Sequence, residues 1–404
     1  MTRFLPAPAT TFAVLALLLP PLGLYAPKAL VVASALAGLL LLPHRAVRAA
    51  FLADLCTPLA LLLGAVLLWT AAACAWSPDP SRALRLWFST LAIVLGGALV
   101  LAGARNNDDR GRRRVEDALM GGGLLFLALA LFEGATGGLI LRLLRGEIAV
   151  EALSRGSAIL TILLPLYALV FRRRFGAMPG FAIAAFGLIA LLLLPMFAAF
   201  IGGVVALLVA LAVGAAPRGA TRILAGVAAA LILLAPLLAD TLADPAMVKA
   251  ALPNLPTNFL HRFTIWSFAG ERILDRPLLG WGLDAARAMP GGNRMDGLQS
   301  VLPLHPHNAA IQIWLELGAI GAFLASGLWL AVCRRLGRTG WTGAPLSAAA
   351  AATAGWFVVA HLSYGIWQNW WLVLPWVAAA LFTAAVPRQN GVHLRRSTAA
   401  GEPP

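Results

Sequence analysis

The sequence predicts an all-α polytopic membrane protein of about twelve spans, with one large extramembrane segment between the ninth and tenth. Three observations lead there. Of the 404 residues, 60% are hydrophobic and only 12% charged, and the mean hydropathy is +0.84. A soluble domain of this length has no use for so much apolar surface. Apolar runs long enough to cross a bilayer recur along the chain, centred near residues 17, 36, 66, 94, 127, 163, 186, 206, 232, 321, 354 and 377, about twelve in all. Arginines cluster in alternate short loops: Arg45 and Arg48; Arg105, Arg110 and Arg112 to Arg114; Arg172 to Arg174; Arg218 and Arg222; Arg334, Arg335 and Arg338; Arg388, Arg395 and Arg396. That bias marks cytoplasmic loops and puts both termini on that side.

The same distribution decides what the net charge of +14 means. With Arg3, the clusters hold more than half of the basic residues, so the excess sets orientation and no nucleic-acid partner is expected.

Residues 1–239 hold spans one to nine with short loops. The first run is broken at Pro20-Pro21 and has no small-residue cleavage site after it, so it reads as a retained span. Another proline, Pro195, interrupts the run before the eighth. The three cysteines, Cys56, Cys74 and Cys333, have no metal-ligand spacing and read as small apolar fillers. On the outer face, Gly134 to Arg155 contains LILRLLRGEIAVEALSR, the pattern of a short interfacial helix, with Arg142 and Arg145 on one face.

Residues 240–306 form the second outer piece, the one region able to make a small extramembrane domain. Its basic and acidic residues balance, so an anion site there needs individual arginines placed by the fold. A helix is predicted from Thr257, capped by Thr257 or Asn258, with Phe259, Phe263, Trp266 and Ile273 as its apolar stripe. Pro277 ends it, and PLLGWG (277–282) and PGGN (290–293) read as tight turns. Residues 307–386 supply spans ten to twelve, and 387–404 read as a disordered cytoplasmic tail.

Chemistry concentrates in His305 to Gly321, HPHNAAIQIWLELGAIG. His307 and Asn308 stand where the long loop enters an apolar helix, and an imidazole there can exchange a proton near neutral pH. A lone histidine in such a place is ordinarily a cap. Here Asn308, Gln312 and Glu316 continue it as a polar stripe at i, i+4, i+8, and polar groups at membrane depth are costly unless functional or paired. His305, on the loop side of Pro306, is the weaker candidate. Gly318 and Gly321 allow a neighbouring backbone to come close.

Arg262 lies mid-helix in the apolar context FLHRFTIWSF, and Arg155 marks the outer mouth of the sixth span. Guanidinium forks suit phosphates, although Arg155 could simply snorkel to headgroups. Arg272 and Arg276 sit beside Glu271 and Asp275 and read as ion pairs. Arg287 falls between these cases. The sequence has no Walker motif, no strand–GxGxxG–helix and no paired acidic motif outside the membrane. An enzyme built this way needs a donor that is already activated and reachable from the membrane.

His307-Asn308 followed by Gly318-x-x-Gly321 resembles the signature of the O-antigen ligase and O-antigen polymerase family, most of all the ligases. RFTIWSFAGERILDRPLLGWGLDAAR (Arg262 to Arg287) is similar to that family's large periplasmic loop, and Arg155 is similar in place to its earlier functional arginine. The resemblance implies cofactor-free, metal-independent inverting glycosyl transfer at the periplasmic face of the bacterial inner membrane. The implied donor is a glycan on undecaprenyl pyrophosphate; the acceptor of a ligase is a lipid A-core hydroxyl. By position, His307 is the implied general base, and Arg262 and Arg155 bind the pyrophosphate. Asn308, Arg287, Trp266, Gln312, Gly318 and Gly321 are expected to shape the substrate site, and the groove between the sixth and tenth spans to hold the donor. The rivals are a polymerase, whose acceptor is a second lipid-linked glycan, a protein O-oligosaccharyltransferase, and a transporter or flippase. Transporters place charge at mid-membrane, where Glu133, Glu316 and His361 are the candidates here.

Overall fold

The computed structural model describes residues 6–146, 152–242, 244–296 and 299–387. All but the first residue of the predicted tail (387–404) and the middle of the first outer piece (147–151) lie outside them. In chain order the helices are α1 (Pro8–Tyr25), α2 (Ala29–Leu41), α3 (Arg45–Leu55), α4 (Pro58–Ala73), α5 (Pro80–Ala104), α6 (Asp109–Ala135), α7 (Leu139–Arg145), α8 (Leu153–Phe175) and α9 (Ala177–Leu193). They continue with α10 (Phe197–Ala215), α11 (Pro217–Leu233), α12 (Ala235–Leu242), α13 (Pro245–Ala251), α14 (Thr257–Asp275), α15 (Ala309–Leu336), α16 (Ala344–Leu362) and α17 (Asn369–Ala385). A two-residue hairpin, β1 (Met295–Asp296) with β2 (Gln299–Ser300), is the one departure from helix and turn among the described residues.

Starts and stops follow local chemistry. Pro58, Pro80, Pro217 and Pro245 open their helices, where a missing N–H costs nothing. The side chains of Thr57, Asp79, Asp108 and Asn308 accept the orphan N–H groups at the starts of α4, α5, α6 and α15.

Each predicted apolar centre falls on a helix, but the count of twelve spans does not follow. Among the described residues eight helices are long and apolar enough to cross: α1, α4 continued by a 3-10 turn to Trp76, α5, α6, α8, α10, α15 and α16. A ninth arises if α2 and α3, bent by 112°, form one broken span. The apolar helices α9 and α17 have 17 residues each, about 26 Å of rise against a hydrocarbon core of ~30 Å. In α11, Arg218 and Arg222 interrupt the apolar character.

The bundle packs α1 on α6, α8 on α9, α10 on α16 and α5 on α17, around one large core. A second core joins α11, α12 and α14 to α15 through Ile232, Ala239, Ile265, Phe268, Ile311 and Leu315. The segment before α15 is therefore built onto α11 and α15 through a shared apolar core.

Three local expectations change. The capping position of α14 is Pro256, because Thr257 is already its first helical residue. Its fully buried residues include Ile265, Phe268, Ala269 and Ile273, so of the expected stripe only Ile273 is fully buried. Trp266 is half-buried and packs against this second core, and Phe259 and Phe263 are half-buried. Of the cysteines, Cys74 and Cys333 are buried and Cys56 is exposed.

The buried carboxylate of Glu133 accepts the N–H groups of Ile140 (3.2 Å) and Leu141 (2.9 Å), capping α7. That accounts for one of the mid-span charges.

The most consequential irregularity is in α15. Gly318 (φ +63°, ψ −164°) breaks it into two half-helices. The turn from Pro277 to Gly282 fills the break. Trp281 N donates to Leu315 O (2.9 Å), Gly282 N to Glu316 O (2.8 Å) and Ala319 N to Pro277 O (2.8 Å). Trp69 Nε1 donates to Leu317 O at 3.0 Å. Interrupted helical carbonyls and amides thus find partners. Gly318 lies so close to the Leu278 carbonyl that a Cβ there would collide with it. PLLGWG is a turn, as expected, and also the piece that docks into the helix break.

Candidate functional site

The residues singled out by sequence converge on the short loop between α16 and α17. Three consecutive residues where α16 ends, its last and the two after it, receive them. Leu362 O accepts from Arg262 Nη1, on α14. Ser363 O accepts from His307 Nδ1 at 2.5 Å. The Tyr364 hydroxyl donates to Ser154 Oγ at 3.3 Å, beside Arg155 in the first turn of α8.

His307 is held in an uncommon backbone state. Its φ of +55° is one of two positive values among described non-glycine residues, a conformation that persists only where surroundings impose it. Those surroundings are clear. Pro306 O accepts from Trp266 Nε1 at 2.7 Å. Asn308 Oδ1 caps α15 through Ala310 N (3.0 Å) and Ile311 N (3.1 Å). His307 N donates to His305 Nδ1 at 3.2 Å, and the two imidazole centroids are 4.3 Å apart.

Because its partner is a carbonyl, His307 Nδ1 must donate, which leaves the lone pair of the neutral ring on Nε2. Burial pulls the His307 pKa down, reinforced by the charge of Arg262, while the bond to Ser363 pulls the other way. The net direction is below the ordinary histidine value. Burial, together with His307, Arg287 and Arg262, takes His305 down to about 3. Both rings are neutral at pH 7, and His307 is a base with its lone pair available.

Burial also lowers the pKa of the Arg262 guanidinium, which lies 5.9 Å from the Phe259 ring centroid. The charges of Arg155 and Arg262 both act on the Tyr364 hydroxyl, which burial nevertheless pushes up to about 12. Tyr364 is therefore a neutral donor near two cations. Among the described residues, neither Arg155 nor Arg262 has a carboxylate within ion-pair distance.

The other predicted site residues lie in supporting positions. Gln312 is buried, with Nε2 donating to Glu316 Oε1 (3.0 Å) and Oε1 accepting from Ile366 N (2.9 Å). Glu316 Oε2 accepts from Asp284 N (2.9 Å) and Trp367 Nε1 (2.6 Å). Gly318 admits the docking turn, and Gly321 lies under the Leu317 side chain. Arg287 pairs with Asp284 at 3.2 Å, and Asp284 also holds Arg82 at 2.8 Å. Burial raises the Asp284 carboxyl against those two cations. Arg272 pairs with Asp275 at 3.0 Å, whereas Arg276 lies 4.2 Å from the Trp281 ring centroid.

An apolar cavity of about 300 Å³ lies beside this cluster, lined by Leu238, Phe263, Trp266, Asn308, Ile311 and His361 among others. A larger one, about 470 Å³, runs among α8, α9, α10 and α16 toward Arg172. The expected groove between the sixth and tenth spans takes a different form, because α16 stands between α8 and α15 and touches both.

Sequence reading missed the 362–364 loop. Its signal was HLSYGIWQNWW (361–371), a polar and aromatic break between two apolar runs. By the arginine alternation it falls on the same side as His307 and Arg155.

Residues 196–326 match the family model described as O-Antigen ligase. Relatives include three Rickettsia proteins named "Putative polysaccharide ligase". The one from Rickettsia conorii is 26% identical over 271 residues, 65% of this chain and 64% of that protein. The one from Rickettsia prowazekii is 31% identical over 150 residues, 34% and 37%. The one from Rickettsia bellii is 24% identical over 311 residues, 75% and 74%. The matches to the first two thus cover less than two thirds of those proteins. The matched stretch, residues 196–326, contains His307, Asn308, Arg262 and the Gly318-x-x-Gly321 pair, and is similar to the O-antigen ligase family model there.

Proposed function

We propose that this protein is an inverting, metal-independent glycosyltransferase that moves an O-antigen glycan from undecaprenyl pyrophosphate to a lipid A-core hydroxyl. We place the reaction at the periplasmic face of the inner membrane. The observation that carries this reading is the single loop whose successive residues, Leu362, Ser363 and Tyr364, contact Arg262, His307 and the neighbour of Arg155. A neutral base and two cations, far apart in sequence, gather at one corner of the bundle.

In this mechanism the acceptor hydroxyl gives its proton to His307 Nε2 as its oxygen bonds to the anomeric carbon. The bond from that carbon to the pyrophosphate oxygen breaks on the opposite face, which inverts the centre. The electron pair leaves with the carrier, and Arg262 and Arg155 stabilise the charge that develops there. Ser363 O holds the His307 tautomer through Nδ1, so Nε2 is the atom that takes the proton. Holding two lipid-anchored substrates at one place supplies orientation.

The test is a lipopolysaccharide gel of the deletion strain, complemented with wild type and with His307→Ala. A ligase leaves the deletion strain with core lacking O-chains, restored by wild type alone. Core bearing a single repeat unit would instead identify a polymerase. Gradient-driven transport with no new glycosidic bond would overturn the transferase reading.

A further inference from the structure

We infer that the Tyr364 hydroxyl is a third donor to the leaving pyrophosphate, acting beside Arg155 and Arg262; this rests on the transferase reading above. The phenol ring is held in an aromatic cluster, 4.8 Å edge-on to Trp370 and 5.5 Å from Trp371, and is 9% exposed. Its ring is therefore fixed while its hydroxyl proton can still rotate.

The resting partners of that proton are poor. Ser154 Oγ is 3.3 Å away and the Met196 thioether sulfur 3.5 Å. The first is long for an O–H···O bond, and the second is a weak acceptor. A phosphate oxygen arriving between the guanidiniums is a far stronger acceptor, and charge-assisted bonds of this kind are shorter and stronger than neutral ones. The hydroxyl can turn from Ser154 to that oxygen without moving the ring.

The chain places it for that purpose. Leu362 and Ser363, the two residues before it, are the partners of Arg262 and His307. Ser154, its own partner, adjoins Arg155. As the anomeric carbon–oxygen bond breaks, the electron pair stays on the pyrophosphate oxygen and the acceptor's proton goes to His307. Tyr364 keeps its proton throughout and contributes a hydrogen bond that strengthens as charge builds up. Its raised pKa keeps it a donor at neutral pH.

The experiment is Tyr364→Phe in the full-length chain, reconstituted in liposomes with a polyprenyl-pyrophosphate-linked glycan and a lipid A-core acceptor. Inorganic pyrophosphate serves as a competing probe. The ring and its packing are kept, so the thermal midpoint in detergent should not move. Expected is a fall in kcat of about tenfold to a hundredfold, an unchanged KM for the acceptor, and several-fold weaker inhibition by pyrophosphate. Wild-type kcat in Tyr364→Phe overturns the inference. So does a lost kcat with unchanged pyrophosphate inhibition and a lowered midpoint, which would make the hydroxyl structural. An inactive wild type, or activity surviving both His307→Ala and Arg262→Ala, would instead sink the transferase reading itself.

Discussion

Gln312 accepts the backbone N–H of Ile366 at 2.9 Å, joining the first half of α15 to the loop that carries Leu362, Ser363 and Tyr364. Glu316, one helical turn on, takes Trp367 Nε1 from the same loop and Asp284 N from the outer segment. The polar stripe of α15 is thus bonded inside the protein, to the loop whose Ser363 carbonyl orients His307.

Glu316→Gln is nearly isosteric but puts N–H groups opposite N–H groups if its amide nitrogen takes the Oε2 position. A loss of about 1–3 kcal/mol in unfolding free energy is expected, along with reduced kcat as Ser363 shifts. Denaturant unfolding in detergent measures the first. A variant as stable and active as wild type would show that this clamp does not position the loop.

His307→Ala should lower transfer by about 10²–10⁴-fold. The wild-type pH profile follows from the direction of the shift. A base works deprotonated, and burial and Arg262 place the His307 pKa below 6.5. Activity should therefore be level at pH 7 and fall only as pH drops through that lowered value. A rate still rising steeply above pH 7 would contradict this assignment.

Arg262→Lys is not a conservative change here. The guanidinium already serves Leu362 O with one nitrogen and has others for phosphate oxygens, while an ammonium is a point charge. Loss of about 10²–10³-fold in kcat is expected. Near-full rescue by lysine in a reconstituted transfer assay would mean that charge alone matters at this position.

Gly318→Ala should fail for two reasons. The left-handed backbone costs a non-glycine residue about 1–3 kcal/mol, and the new Cβ meets the Leu278 carbonyl. Gly96→Ala, inside α5, keeps a helical backbone and meets nothing within 4 Å. Thermal melts should therefore show a much larger drop for the first than for the second, and equal midpoints would refute the account of the break.

Helix positions were legible because apolar runs, prolines and caps are local signals. His307, Arg262 and Arg155 were legible because each is polar where the neighbouring sequence is apolar. Tyr364 was not, since its neighbours are themselves aromatic and its partners lie on α8 and in the Leu194–Met196 connection. The partner of Arg287 was equally hidden. Asp284 is three residues away, but its left-handed backbone (φ +59°) and its second cation, Arg82, depend on a fold that local spacing does not encode.

The helix break at Gly318 bears on how such chains can be recombined. Swapping the outer segment between relatives at its apparent borders would part the turn at 277–282 from the half-helix it completes, leaving carbonyls stranded in an oily interior. A working hybrid must inherit both from one parent, so the transplantable unit runs from α14 through the second half of α15. Drift in that turn and drift in that helix are bound to go together.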